Sequence, residues 1–388
     1  MSTEAVGALG AGASPDGGLG SDRATRLALS CVVEAAEPAV AEAAVVSGAA
    51  AAWDQVVGGG FGEGLARRAA GVDLDRVLAR AARCRARFVI PGDEEWPDRL
   101  GDLRYCDEVQ RRGGVPFGLW LRGPGHLAQL ASRSVAIVGS RAATSYGAAI
   151  ATDLGAELAE GGVTVVSGGA FGIDAAAHQG ALAGSGRTIS VVANGVDVAY
   201  PQANGRLFDR IADRGLIVSE LAPGSHPTRV RFLGRNRLIA ASTIGTVVVE
   251  AALRSGARNT ASWALGCGRV LMAVPGSVES AMSEATHLMI RNGQAVLVST
   301  AAEVLELISE SGQGTLPIAH GPTRETDALD QVRLSVFEAV PARRRVGAGE
   351  IALAAGVSVP TALAQLGALE DAGMVIGDDE GWRAVVRR

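Results

Sequence analysis

The chain has no lysine, because all 36 basic residues among its 388 residues are arginine. A Walker A loop needs its lysine and a Schiff-base enzyme needs a lysine amine, so P-loop NTPases of the usual kind and Schiff-base enzymes are excluded. Aromatic residues are also scarce, at 4% of the chain, whereas alanine and glycine abound. Small side chains let backbones pack closely, as helices do on a parallel sheet.

Cysteines and long apolar runs are equally limited. The four cysteines form no CxxC pair, which argues against a zinc knuckle, a redox dithiol or a disulfide scaffold. No charge-free apolar run reaches about 20 residues, and the N-terminus has no basic segment followed by an apolar one. We therefore expect a cytoplasmic protein without a membrane span. The net charge of -5 does not exclude nucleic acid, because binding depends on local charge.

Motifs for catalysis are missing too. The sequence has no GxSxG elbow, no HExxH motif and no carboxylate pair placed for acid–base chemistry. Asp174 and His178 share a helix face, but no third ligand accompanies them, so we expect Asp174 to brace its loop and His178 to be structural. We predict no catalytic residue, no metal and no cofactor.

The composition divides the chain into five segments. Residues 1–22 are rich in glycine and alanine and are predicted to be a flexible tail. Residues 23–88 repeat apolar residues at helical spacing, and residues 89–308 are predicted to form the main domain. Residues 309–326 form a polar linker. Residues 327–388 show three helices followed by two strands, which is the pattern of a winged helix-turn-helix.

Short apolar strands alternate with amphipathic helices in the main domain. The predicted strands cover 135–139, 163–169, 188–195, 216–220, 246–251, 269–276 and 295–298. Such alternation predicts an α/β fold with a doubly wound parallel sheet. Ligands of such sheets bind beyond the carboxyl ends of the strands.

The first candidate binding loop is Gly139, Ser140 and Arg141, directly after a predicted strand. Glycine lets the backbone approach a phosphate, and the next helix offers free N–H groups. Arginine adds a bidentate cation. An ordinary tight turn with an exposed arginine is the alternative.

The second candidate loop, in the segment SGGAFG, follows the next strand. It contains Ser167, Gly168, Gly169 and Gly172. Successive backbone N–H groups in such a loop can wrap around an anion or a sugar-phosphate backbone.

A basic run at 229–237 is the third candidate. It contains Arg229, Arg231, Phe232, Arg235, Asn236 and Arg237. No Asp or Glu lies between Glu220 and Glu250, so positive charge is concentrated here. Cations for phosphates and an aromatic ring for stacking suit single-stranded nucleic acid. The alternative is a solvated basic face with Phe232 buried beneath it.

A fourth group follows Glu250 at another strand end. Asn259 and Thr260 begin a helix there and are candidates for hydrogen bonds to phosphate. N-capping of that helix explains them equally well.

Seven ordered segments together resemble the DNA-processing protein A family (DprA, also called Smf), over roughly residues 90–300. They are AIVGSR, SGGAFGIDAAAHQGAL, NGVDVAYPQANGRL, SELAPG, FLGRNRLIA, VVEA with SGARNTA, and VLMAVPGS. The resemblance implies an N-terminal helical SAM-like domain, an extended Rossmann-like domain and a C-terminal winged helix. It also implies a homodimer that binds single-stranded DNA, loads the recombinase RecA in natural transformation and helps to displace single-strand-binding protein. The family is not known as an enzyme.

Carried onto this sequence, the resemblance places DNA contacts in both glycine loops and in the basic run. Arg229 stands where the family has a basic residue, Phe232 matches its base-stacking aromatic, and residues 235–237 match its RNR. We therefore expect arginines 141, 229, 235 and 237 to neutralise phosphates. The chain departs from the family at Leu233, where proline is common, and at 257–259.

Two other functions fit parts of the sequence. Gly245-Thr246 followed by Glu250 resembles the phosphoribohydrolase (lysine-decarboxylase-like) enzymes, but the Pro-Gly-Gly of that family is missing. A transcription regulator with a ligand-sensing Rossmann domain would need a DNA-binding winged helix.

The predicted winged helix is acidic. Residues 327–388 contain 7 Arg against 9 Asp and Glu, a net charge of -2. The expected recognition helix, at about 359–373, has no arginine and carries Glu370 and Asp371. Because phosphate attraction would be weak, we expect no strong duplex binding and favour a protein-contact role.

Overall fold

The computed structural model describes residues 19–309 and 325–385. Short, mostly apolar segments of the chain pair there into a nine-stranded sheet. The strand order is β1-β2-β6-β5-β4-β3-β7-β8-β9; β1 and β2 run antiparallel at one edge, and the other strands are parallel. The strands are β1 (Ala86–Val89), β2 (Leu119–Arg122), β3 (Ser134–Val138), β4 (Thr164–Ser167), β5 (Thr188–Val191), β6 (Leu216–Ser219), β7 (Gly245–Val248), β8 (Val270–Ala273) and β9 (Val296–Leu297). The predicted doubly wound α/β fold is confirmed.

Helices connect these strands and cover both faces of the sheet. The helices are α1 (Leu19–Val32), α2 (Pro38–Val46), α3 (Ala49–Val57), α4 (Glu63–Ala70), α5 (Leu74–Arg83), α6 (Leu127–Ser132), α7 (Ser145–Glu160), α8 (Ile173–Ala183), α9 (Gly205–Arg214), α10 (Arg229–Ala241), α11 (Ala257–Gly266), α12 (Glu284–Arg291) and α13 (Ala301–Ile308). Strand order reverses on either side of β3, which has β4 on one side and β7 on the other. A crevice is expected at such a switch point.

The alternation of side chains along β3 separates two apolar cores. Val135 and Ile137 pack with helices α7, α8 and α13 on one face. Ala136 and Val138 pack with α10, α11 and α12 on the other. This is the period of two that a strand buried on both faces imposes.

The N-terminal helices have a small core of their own and also contact the sheet. Leu29, Val40 and Val56 pack together, whereas Leu27 packs with Phe88 and other residues of the sheet edge. The helices and the sheet therefore lie in one compact unit. The boundary between separate domains at residue 88 stays a prediction.

Two elements extend across predicted segment boundaries in this region. Strand β1 begins within the segment expected to be helical, because α5 ends at Arg83 and Arg85 adopts a left-handed φ of 54°. The helix α1 begins at Leu19, inside the predicted tail; residues 1–18 lie outside the described part of the chain.

A second compact unit forms the C-terminus. It contains α14 (Gln331–Ala339), α15 (Ala348–Ala355), α16 (Val359–Asp371), β10 (Val375–Asp378) and β11 (Gly381–Ala384). Val336, Leu366 and Leu369 form its core. The assignment as a winged helix stays a prediction, and residues 310–324 of the predicted linker lie outside the described residues.

The described helices are short relative to what a membrane span requires. Within 19–309 and 325–385, no single helix has the necessary length and apolar composition, and only the pair α15 and α16, bent by 103°, meets them together.

Two cysteines that are distant in sequence meet in the fold. The Sγ atoms of Cys106 and Cys267 are 3.1 Å apart and share a hydrogen bond. Burial and this neighbour raise the pKa of the Cys267 thiol. All four cysteines are free thiols.

Candidate nucleic-acid interface

A cleft of about 700 Å³ opens at the carboxyl edge of the sheet, beside β3 and β7. It lies at the switch point, where the fold predicts a ligand. Its polar, charged and aromatic lining includes Ser140, Arg141, Asp174, Tyr200, Arg229, Phe232, Arg235, Asn236, Arg254 and Thr260. The cleft therefore brings together residues from three of the four predicted groups, and it adds two that the sequence analysis missed.

The first loop is held tightly against its neighbours. A Cβ at Gly139 would lie 2.5 Å from Ile173 Cγ1, so only glycine fits. The N–H of Ser140 donates to the carbonyl of Glu250 at 2.7 Å. The rigid turn leaves Arg141 exposed at the rim, where its guanidinium carbon lies 4.8 Å from the centre of the Phe232 ring.

The helix N-terminus after this loop is already occupied by a carboxylate of the chain itself. Glu250 accepts hydrogen bonds from the N–H of Thr144 at 2.9 Å and from the Thr144 hydroxyl at 2.5 Å. A Cβ at Gly147 would overlap the same carboxylate. The N–H of Thr144 is therefore not free for a phosphate, and phosphate binding by the rest of this helix end stays a prediction.

The second loop has the same internal arrangement. Asp174 Oδ2 accepts the N–H groups of Gly168 and Ala170 at 3.2 and 3.4 Å. Burial raises the pKa of Asp174, against the opposing attraction of Arg235. Since these N–H groups point inward, they are not available to an outside anion.

The other members of the predicted second loop are also turned away from the cleft. Ser167 is fully buried and donates to the carbonyl of Ile137 at 2.6 Å. Gly169 and Gly172 have φ angles of 67° and 74°, which favour glycine. Gly172 also has no room for a Cβ, because the carbonyl oxygen of Ser140 lies against it. These residues shape the loop; the structure does not present them as a cradle.

His178 is a structural residue, as its position in the sequence led us to expect. Its Nδ1 lies 2.7 Å from the hydroxyl of Thr188, and the side chain is fully buried. Burial lowers the pKa of His178 to about 3, so the imidazole is neutral at physiological pH.

The basic run forms the first turns of α10, and its arginines have different surroundings. Arg229 is exposed at the rim of the cleft. Arg231 points to the N-terminal helices and pairs with both oxygens of Glu34, at 2.6 and 3.1 Å. Arg235 is 6% exposed and lies below Phe232, with Nη1 donating to the carbonyl of Val191 at 2.8 Å. Burial lowers the pKa of Arg235 to about 10, so it keeps its charge at neutral pH.

Arg237 does not reach the cleft. Its guanidinium is fully buried and forms two hydrogen bonds to the Glu220 carboxylate, at 2.7 and 2.8 Å. Its Nε donates to the carbonyl of Gly114 at 2.9 Å. The expectation that Arg237 neutralises a phosphate is therefore replaced by a structural role, in which it fastens α10 to the segment before β2.

The amide residues form a chain of hydrogen bonds beside the cleft. Asn236 Nδ2 donates to Asn259 Oδ1 at 3.2 Å, and Asn259 Nδ2 donates to Gln110 at 3.4 Å. Asn236, Asn259 and Thr260, the three residues expected here, are all buried. Asn236 and Thr260 line the cleft, whereas Asn259 supports Asn236 from behind.

Sequence analysis missed Arg254 and Tyr200. Arg254 is exposed on the lining, one residue before the segment singled out at the end of β7. The Tyr200 ring lies 5.8 Å from the Phe232 ring at 48°. Tyr200 lies in NGVDVAYPQANGRL, one of the seven family-like segments, and this position could have marked it as a candidate.

The resulting cleft is strongly positive. Arginines 141, 229 and 254 are exposed on it, and within the described part of the chain none of them forms an ion pair. Asp174 is the one acidic side chain among the described lining residues, and it is buried. The arrangement suits a polyanion with a planar group that can stack on Phe232.

The buried pair makes a direct prediction about stability. Replacing Arg237 with alanine leaves Glu220 buried without its partner, which costs about 3–5 kcal/mol. We expect Arg237→Ala to lower the melting temperature strongly, measured by circular dichroism, while exposed Arg291→Ala leaves it unchanged. An Arg237→Ala protein of full stability with weakened DNA binding would contradict the structural role.

The chain is similar to known proteins over most of its length. Residues 87–309 match the family described as DNA recombination-mediator protein A. A DNA processing protein DprA of Mycobacterium tuberculosis is 41% identical over 360 residues, covering 90% of this chain and 91% of that protein. Protein Smf of Escherichia coli is 34% identical over 76% of each chain.

A solved structure agrees with these sequence matches. DNA processing protein A from Streptococcus pneumoniae superposes with a TM-score of 0.60 at 31% identity, covering 74% of this chain and 96% of that one. The ordered motifs, the sheet with its cleft and these likenesses lead to one conclusion. The chain belongs to the DNA recombination-mediator protein A family.

Proposed function

We propose that this protein binds single-stranded DNA in the cleft and acts as a mediator of recombination. The observation that carries the proposal is the placement of Phe232 among three exposed arginines at the carboxyl edge of the sheet. Guanidinium groups attract successive phosphates, and an aromatic ring offers a stacking surface to any base. Membership of the recombination-mediator family supports the same role.

The geometry favours a single strand over a duplex. Phe232 lines a cleft and is only partly exposed, so a base must enter the cleft to stack on it. A base of a single strand can turn out of its neighbours, whereas a paired base remains stacked within the helix. Arginines 141, 229 and 254 then lie at the rim, where the backbone of that strand would pass.

The family resemblance extends the proposal to partners. The protein loads the recombinase RecA onto single-stranded DNA, helps to displace single-strand-binding protein and acts as a homodimer in the cytoplasm. It works by binding, and no catalytic step is part of the role.

The nucleotide-hydrolase alternative fits the cleft less well. Enzymes of that type bind phosphate with backbone N–H groups at helix N-termini. Here Glu250 accepts the N–H of Thr144 just before α7, and Asp174 accepts two N–H groups of the loop before α8, so negative charge already lies at both places. Absence of nucleoside monophosphate hydrolysis is therefore expected.

Fluorescence anisotropy tests the proposal. A labelled oligo-dT and a duplex of equal length are titrated with the full chain at several salt concentrations. We expect tight, salt-sensitive binding to the single strand and much weaker binding to the duplex. Equal affinity for both would remove the proposed role of Phe232 and its arginines.

Arg141→Ala should weaken binding to all sequences alike. Loss of one phosphate contact should also flatten the slope of log affinity against log salt by about 0.7. The matched control is Arg291→Ala, because Arg291 ends α12, which leads away from the carboxyl edge. An unchanged slope for Arg141→Ala would show that Arg141 does not contact phosphate.

Phe232→Leu should weaken binding without changing the salt slope, because leucine keeps an apolar side chain but cannot stack on a base. The expected loss is about 1–3 kcal/mol in the same titration. Tyr105→Leu is the control, since Tyr105 is 81% exposed and lies outside the cleft. Undiminished affinity of Phe232→Leu would contradict the stacking role.

A further inference from the structure

Two buried charged side chains form the floor of the cleft beneath Phe232. Asp174 and Arg235 both line it, and each is 6% exposed. The Arg235 guanidinium carbon lies 5.8 Å from the centre of the Phe232 ring. A Cβ at Gly168 would overlap the same guanidinium, so the loop glycine makes room for it.

Both side chains keep hydrogen-bonding capacity that the chain does not use. The two backbone bonds to Asp174 both go to Oδ2, and the Ser167 hydroxyl also lies close enough to lower the pKa of this carboxyl, yet a carboxylate can accept about four hydrogen bonds in all. Arg235 gives Nη1 to the carbonyl of Val191, and among the described residues its buried Nε has no partner. Since both side chains line the cleft, its floor presents one acceptor group and one donor group.

This pair does not suit a phosphate. A carboxylate only accepts hydrogen bonds and repels an anion, whereas a guanidinium only donates. The matching ligand must donate to Asp174 and accept from Arg235 through neighbouring atoms. The edge of a nucleobase has such atoms, and guanine has two of each kind: N1–H and the 2-amino group donate, and O6 and N7 accept.

We propose that the cleft floor binds the edge of one unstacked base and prefers guanine. The inference rests on the proposed function, because the base reaches the floor while it stacks on Phe232. Asp174 accepts from N1–H and the 2-amino group, and Arg235 donates to O6, the neighbouring acceptor on the same edge of the base. The protein then binds any single strand through its arginines and places a guanine in this subsite where the sequence offers one.

Competition anisotropy with the full chain tests the subsite. Labelled oligo-dT is displaced by unlabelled oligo-dT, or by the same oligonucleotide with every third position replaced by dG, dI, dA or dC. Deoxyinosine differs from dG only by the missing 2-amino group. We expect the dG oligonucleotide to bind about tenfold more tightly than oligo-dT, and dI to lose most of that gain.

Two variants test whether the preference for guanine comes from Asp174. Asp174→Asn keeps the shape and one acceptor for the loop N–H groups but replaces the other oxygen with a donor. It should reduce the ratio of dG to dI affinity to near one, and because both affinities are measured on the same variant, a change in its overall DNA affinity does not affect the ratio. Asp197→Asn is the matched control, because Asp197 also accepts a loop N–H, that of Gly224 at 2.8 Å, but lies outside the cleft.

The outcomes separate this inference from the proposed function. Tight binding of all oligonucleotides with equal affinity for dG and dI would overturn the guanine subsite and leave single-strand binding intact. Equal or greater preference for dA or dC would overturn it as well. No binding to any single strand would overturn both. The comparison of dG with dI in the unaltered protein does not depend on the folding of a variant.

Discussion

Two buried carboxylates hold the carboxyl edge of the sheet together. Glu250 accepts the backbone N–H at the start of α7, and Asp174 accepts the N–H groups of the loop before α8. Both act where a nucleotide-binding Rossmann protein would place a phosphate. Each loop therefore has a carboxylate of the chain itself among its hydrogen-bond partners, and the negative charge opposes the positive end of the following helix dipole.

This internal balance determines how the cleft attracts DNA. Glu250 and Asp174 already bond the N–H groups of Thr144, Gly168 and Ala170, so the exposed guanidinium groups of Arg141, Arg229 and Arg254 are the main attraction for an anion. Guanidinium groups on flexible side chains follow a strand of variable path, whereas a backbone cradle fixes one phosphate. The same sheet edge thus suits a polymer better than a mononucleotide.

Much of the fold followed from the sequence, since each of the seven predicted strands pairs in the sheet. Short apolar runs bounded by turn residues identify such strands locally. Arg237 and Ser167 show the limit of this reasoning for the site. Both belong to the motifs, but their side chains bond to Glu220 and to the carbonyl of Ile137, which are distant in sequence. Arg254 was missed because only the fold brings it to the cleft.

The N-terminal helices contact α10 and so help to hold in place the helix that lines the cleft. Arg231 pairs with Glu34, and Gly234 packs against Ala35 and Ala36 at distances that exclude any larger side chain without a shift. The helix that carries Phe232 is thus clamped from outside the sheet. A relative without these helices would keep both glycine loops but would hold α10 from one side only, so its cleft would vary more in width. The N-terminal helices, which carry none of the sequence motifs, therefore help to determine how precisely α10 and its Phe232 are positioned.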